Sequence, residues 1–499
     1  MPPVSSSRVP AIPWPHLAAA ALPGALAFIV YCVVSLTRHA RFGSGSWDMG
    51  CYVHNLWLLA HPGAPQISSV LGDANFWGGT NHFMPSLALA VPLAPLVALT
   101  GFTGILLVFQ AAVIALAVVP LALLAQRRQL GPATVAALSL AYLFHIGTQS
   151  AVNFDVHEIA AVPLFMLLAL WAFETDRRVL AYASLLVLAG LKESAIVYAA
   201  GVGLFLAVAP RGSRALRIEG AAIFAVLLLW FVVVTMVIQP AFLEQGSAGM
   251  IHVARFAALG ASPLDLLKHI ALHPLDTVAL LFTPSAKAAT LAVTAGGFAF
   301  LPLLAPEVIV LAGPTLAERF FSDKVQMWGL GYHYSLPLVG VWAFASVIAL
   351  ARARAFVGAR MPARTFDVGA GVALLLALVI SQLAAPVPPE FASVHKHYMA
   401  NSEEVARYRR ALAVVPDHAK VVAQNHFLPH LAYRQFIWQP YRRYLSRADF
   451  VILDTSASPW PRKSKHVSAL IDKLRADPRW SVAFEEQSTV VFKRSLVDR

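Results

Sequence analysis

The sequence predicts an all-α polytopic membrane protein of about eleven transmembrane helices, followed by a small external α/β domain. Three observations carry that reading. Hydrophobic residues make up 58% of the chain and charged residues only 13%, with mean hydropathy +0.66, which excludes a soluble globular protein. Apolar runs recur between residues 17 and 385, and many approach the ~20 residues that cross ~30 Å of hydrocarbon. From Pro386 the composition changes, with a Pro-Val-Pro-Pro segment and frequent charges. The chain therefore divides into a transmembrane part, 1–385, and an external soluble part, 386–499.

The net charge of +12 invites a nucleic-acid reading. Much of the Lys and Arg, however, flanks apolar segments as topology signals do, so we expect no nucleic-acid partner. Cys32 and Cys51 are the only cysteines, and Cys32 falls inside the first apolar run, which argues against a disulfide framework.

Positive charge orients the spans. Gln126-Arg127-Arg128, Thr175-Asp176-Arg177-Arg178, Arg211-Gly212-Ser213-Arg214 and Arg352-Ala353-Arg354 follow apolar runs and are expected on the cytoplasmic side. Spans then fall near 17–36, 104–125, 133–151, 158–174, 179–191, 194–209, 218–239, 287–302, 304–317, 334–351 and 367–385. This order puts the amino terminus on the cytoplasmic side and the carboxyl terminus, with the tail, on the external side. Arg38 and Arg41 lie on the outer side of the first span, against the positive-inside rule. Residues 37–103 form a long first external loop. Within it, Pro85 to Thr100 is apolar, but Pro85, Pro92 and Pro95 spoil a regular spanning helix, so it reads as interfacial. A true extra span is the alternative.

In the tail, Glu403–Val414 and Val467–Arg475 have helical character. Val421–Ala423, Phe450–Leu453, Ser481–Phe484 and Thr489–Phe492 read as short strands. His426, His430, Trp438 and Tyr441 read as scattered surface side chains, with substrate contact as the alternative.

Four polar clusters interrupt the apolar chain, and the topology puts all of them on one side of the bilayer. They are Ser46–Gly50, Asn81-His82-Phe83, Asn153–Glu158 and Lys192-Glu193. Charged groups at a membrane are costly unless paired or wetted, so they mark a site. Asp48 is either the N-cap of a helix over 49–59 or a general base whose pKa partial desolvation raises. Asp155, His157 and Glu158 are ligand-type side chains within four residues. They suit a divalent metal (magnesium or manganese) or a phosphate, or else a hydrated loop. Residues i and i+2 diverge on a helix, so only a loop brings all three together. Lys192 either balances a phosphate or pairs with Glu193. His82 and the trio Tyr332-His333-Tyr334 fall at the outer boundary, where His and Tyr are commonly belt residues.

The order Trp47-Asp48-Met49-Gly50, Asn81-His82-Phe83-Met84-Pro85, Asn153–Glu158, Leu191-Lys192-Glu193 and Tyr332-His333-Tyr334 resembles a bacterial membrane family, domain of unknown function 2079. The likeness runs from about residue 45 into the tail. That family in turn resembles the GT-C glycosyltransferases, polytopic enzymes with an acidic first external loop that use polyprenyl-phosphate sugars. The resemblance implies a GT-C-like fold, with Asp48 as the first-loop acid and catalytic residue and Asp155 as the second-loop acid. Lys192 would match the lysine that often closes span five in lipid-linked sugar transferases. Many GT-C enzymes carry paired acids in the first loop, whereas Met49 follows Asp48 here.

The expected function is transfer of a sugar from a polyprenyl-phosphate donor to an acceptor on the external face, at the membrane lipid surface. Asp48 is the base, and His82, Lys192, Glu193, His333 and Tyr334 contact substrate. Asp155, His157 and Glu158 hold the metal. The alternatives are a transporter or flippase for a lipid-linked or anionic solute, and an inert scaffold.

Overall fold

The computed structural model describes residues 14–61, 87–209, 212–238, 254–260, 262–358, 360–385, 400–458 and 463–495. The Asn81–Pro85 cluster with His82, and the Pro386 linker, lie outside them.

Helix follows from the apolar runs. α1 is Trp14–Ala40, α2 Cys51–Ala60 and α3 Leu87–Thr100; α4 (Ile105–Leu116) and α5 (Val118–Arg127) follow nearly continuously. Then come α6 (Pro132–Leu143), α7 (Ile146–Asn153), α8 (Val162–Glu174), α9 (Arg178–Leu191), α10 (Glu193–Val208) and α11 (Arg214–Val233). The helical part ends with α12 (Pro263–Leu272), α13 (Ser285–Gly296), α14 (Ile309–Phe320), α15 (Leu336–Val357) and α16 (Ala363–Ala384). A helical segment lies within every expected span. Among the described residues, five are long and apolar enough to cross a membrane, or six if the bent pair α6–α7 is one span. The chain is thus a multi-pass membrane protein with fewer full-length spans than the expected eleven. α3 continues through Pro92 and Pro95, so the prolines do not break it as expected.

Two basic turns meet at one end of the helices. Arg128 donates to the Glu174 carboxylate at 3.0 and 2.5 Å, which ties the 126–128 turn to the 174–178 turn. α9 rises from that end, and its 14 residues carry Lys192 about 21 Å away. Asp367 in α16 receives the N–H groups of Ala133 and Thr134, both at 3.0 Å, and so satisfies the orphan donors that open α6.

The tail is a five-stranded sheet in the order β2-β1-β3-β5-β4. Its strands are β1 (Val421–Ala423), β2 (Ile437–Trp438), β3 (Phe450–Asp454), β4 (Trp480–Glu486) and β5 (Thr489–Arg494). β1 runs parallel to β2 and β3, and β5 runs antiparallel to β3 and β4. Helices α17 (Ser402–Ala413) and α18 (Ser464–Ala476) accompany it. The two-residue β2 was too short to show in the sequence pattern. Of the four tail side chains expected on the surface, His426 and Trp438 are buried and His430 and Tyr441 are partly buried. Trp438 is fully inside, and Phe427 and His430 pack on Phe42 beyond α1. His39 of α1 stacks on His430 with ring centroids 4.4 Å apart. One apolar core joins the tail to the membrane helices.

Candidate functional site

The first acid is presented by a tight turn. After α1 the chain enters a single π-helical turn, Ser46–Gly50, that runs directly into α2. Asp48 sits inside this turn. Its side chain is not the N-cap of the helix, because Gly45 occupies that position. The carboxylate keeps 18% of its surface exposed. Burial pushes its carboxyl from the ordinary 3.8 up to about 6, with Lys192 and Arg38 pulling it back down.

From Asp48 a chain of contacts crosses to the end of α9. His157 Nε2 lies 3.3 Å from Asp48 Oδ1, and its Nδ1 lies 3.2 Å from Glu158 Oε2. Glu158 Oε1 then pairs with Lys192 Nζ at 3.4 Å. His157 can bridge because its backbone is extended just before the short 3₁₀ turn Glu158–Ala161. Its N–H donates to Gln110 Oε1 at 2.8 Å, and Gln110 Nε2 donates to Ala151 O at 3.2 Å. Gln110, a polar residue in the apolar α4, thereby fixes the loop that carries the site. Lys192 is a single extended residue between α9 and α10. Its ion pair is with Glu158 and not with adjacent Glu193. Glu193 opens α10, where the helix dipole favours a carboxylate.

His333 stacks on His157, with centroids 3.5 Å apart and planes at 22°. Tyr334 leans against His333, and Tyr52 meets the His157 ring edge-on at 6.3 Å. His333 and Tyr334 are therefore part of the cluster rather than a detached interfacial belt.

Asp155 takes a different place from the one the sequence suggested. It forms an ion pair with Arg38 and accepts the Gly45 N–H at 2.7 Å, while Arg38 also donates to Gly43 O at 3.0 Å. This pairing supplies the counter-charge for an arginine buried at the end of α1. Asp155 thus anchors the approach to Asp48 and does not converge with His157 and Glu158. The donor set also fails to fit a metal: the imidazole places its two nitrogens against different carboxylates, on opposite ring edges. Among the described residues, no three His, Cys, Asp or Glu side chains are grouped to hold an ion.

The family model described as a predicted membrane protein, DUF2079, matches residues 38–491. The chain belongs to this family. No curated protein matches it. The DUF2079 match spans the whole cluster, from Arg38 through Asp48, Glu158, Lys192 and His333, and nearly all of the tail sheet.

Sequence reasoning singled out Asp48, His157, Glu158, Lys192, Glu193, His333 and Tyr334. It passed over Arg38 except as an anomaly of charge, although a buried arginine demands a nearby carboxylate. It also gave Gln110 no role at the site, where a lone amide in an apolar helix was the available signal.

Proposed function

We propose that this DUF2079 protein is a GT-C-like glycosyltransferase that moves a sugar from a polyprenyl-phosphate donor to an acceptor hydroxyl at the external face of a bacterial cytoplasmic membrane. In this reading the shorter helices complete eleven crossings, the amino terminus is cytoplasmic and the tail is external. One observation carries the proposal: a largely buried acid with a raised pKa and a small exposed edge, joined through His157 and Glu158 to a lysine at the end of a helix opposite the basic turns. Sugar transfer needs those two capacities, a base for the nucleophile and a cation for the departing phosphate.

The acceptor O–H loses its proton to Asp48 as its oxygen bonds to the anomeric carbon. The bond from that carbon to the phosphate oxygen breaks, and the polyprenyl phosphate leaves with the electron pair. Lys192 has three N–H donors, of which the Glu158 pair occupies one, so the others remain for phosphate. His157, 3.3 Å from the carboxylate, orients Asp48. Tyr334, partly exposed and tilted against the buried His333, offers one ring for a sugar face. The polyprenyl tail stays in lipid.

The test uses purified protein in proteoliposomes with radiolabelled polyprenyl-phosphate sugars and mixed envelope acceptors. Label moving to a new covalent product supports transfer. Label that only crosses the bilayer unchanged would replace the enzyme with a flippase.

A further inference from the structure

The turn that carries Asp48 is held from two sides, and one side belongs to the tail. Asn425 Oδ1, just past β1, accepts both the Ser46 N–H at 2.8 Å and the Ser46 hydroxyl at 2.7 Å. Gln439 Nε2, just past β2, donates to the same hydroxyl at 2.6 Å. Ser46, Asn425 and Gln439 are all buried, so water does not replace these bonds while the tail is docked. On the other side, Asp155 holds Gly45. Ser46 is the first residue of the π-turn, and its carbonyl receives the Cys51 N–H, so whatever fixes Ser46 fixes the turn.

We propose that the tail domain is a positioning element for the membrane site, with Asn425 and Gln439 as positioning residues. They hold Ser46 and, through one turn of backbone, place the Asp48 carboxylate against His157. Separation of the tail strands the Ser46 donors and loosens the turn, which makes the acid competent only in the docked state. The clamp stands on the hydrogen bonds alone. Its catalytic consequence rests on the transferase reading above.

Cys51 gives a readout that needs no activity. It is 6% exposed and follows the turn directly. In full-length protein with Cys32→Ala, Cys51 is the only thiol, and a membrane-impermeant maleimide reports how often the turn opens. Asn425→Ala with Gln439→Ala is expected to speed Cys51 labelling about tenfold or more, because a buried thiol reacts only on local opening. Asn425→Asp keeps the accepting oxygen and is expected to label as slowly as the parent. Unchanged labelling in the double alanine variant overturns the clamp, as does fast labelling in Asn425→Asp, which would trace the effect to the tail fold rather than to the acceptor. In the transfer assay, Asn425→Ala should lower kcat about tenfold with KM unchanged, as loss of orientation does. Faster labelling with no transfer by any variant, parent included, leaves the clamp standing and removes the transferase reading.

Discussion

If Asp48 is the base proposed above, its effects on stability and on rate have pH dependences that run in opposite directions. Its carboxyl is raised from 3.8 to about 6, so the folded chain binds that proton more tightly than the unfolded chain. Its contribution to stability is therefore greatest below the unfolded value, declines as pH rises from about 4 to about 6, and stays low above. Asp48→Asn removes this dependence. Its melting temperature should match the parent's near pH 4 and exceed it near about pH 7.5, as thermal unfolding in detergent would register. A base needs the ionised form, so transfer should instead rise through the same window. At this scale much was legible, because a charged side chain in an apolar sequence announces itself. The partners were not. Ser46 meets Asn425 across 379 positions and Gln439 across 393, and no local pattern links them.

The break between α9 and α10 shows how one residue becomes an element's geometry. The sequence places charge between two apolar runs, and the chain answers with a single extended residue at Lys192. Adjacent residues on a helix do not face each other, so Lys192 finds Glu158 rather than Glu193. The Glu158 side chain is 4% exposed, and losing its partner leaves a buried charge. Lys192→Met should cost about 3–5 kcal/mol, and adding Glu158→Gln should recover most of it. Chemical denaturation of the two variants measures the difference, and equal stability would show that the pair carries no weight. A second constraint sits where α10 crosses α11. A Cβ on Gly203 would lie 2.6 Å from Phe224 N, and one on Gly220 2.6 Å from Ala207 N. The two helices pack backbone to backbone, as small residues allow. Gly220→Val should prevent that contact and yield protein that aggregates on size-exclusion chromatography, whereas Gly369→Ala, with open space around it, should not. Nothing in composition distinguishes these glycines, so this packing was not readable from the sequence.

For the molecule as a whole, the Arg128–Glu174 bond puts two basic turns at one end, and the chain of contacts from Asp48 to Lys192 sits at the far end of α9. Reporter fusions after Arg128 and Arg178 should behave as cytoplasmic, and one after Val387 as external; a cytoplasmic signal at Val387 would reverse the face on which the site opens. The division into membrane helices and a sheet-bearing tail followed from composition alone, since hydropathy changes sharply near Pro386. The docking of the tail onto the Asp48 turn did not, because it depends on shape and on single hydrogen bonds. The central claim is that Asp48 is the base of a sugar transfer, and its most direct test is the rate of Asp48→Asn across pH with a polyprenyl-phosphate sugar as donor. Asparagine keeps the size of the side chain but cannot take a proton, so the account predicts a loss of about 10²–10⁴-fold in kcat for a folded protein, together with a parent rate that falls as pH drops below about 6. Full activity in Asp48→Asn, with the parent's pH profile retained, would contradict it.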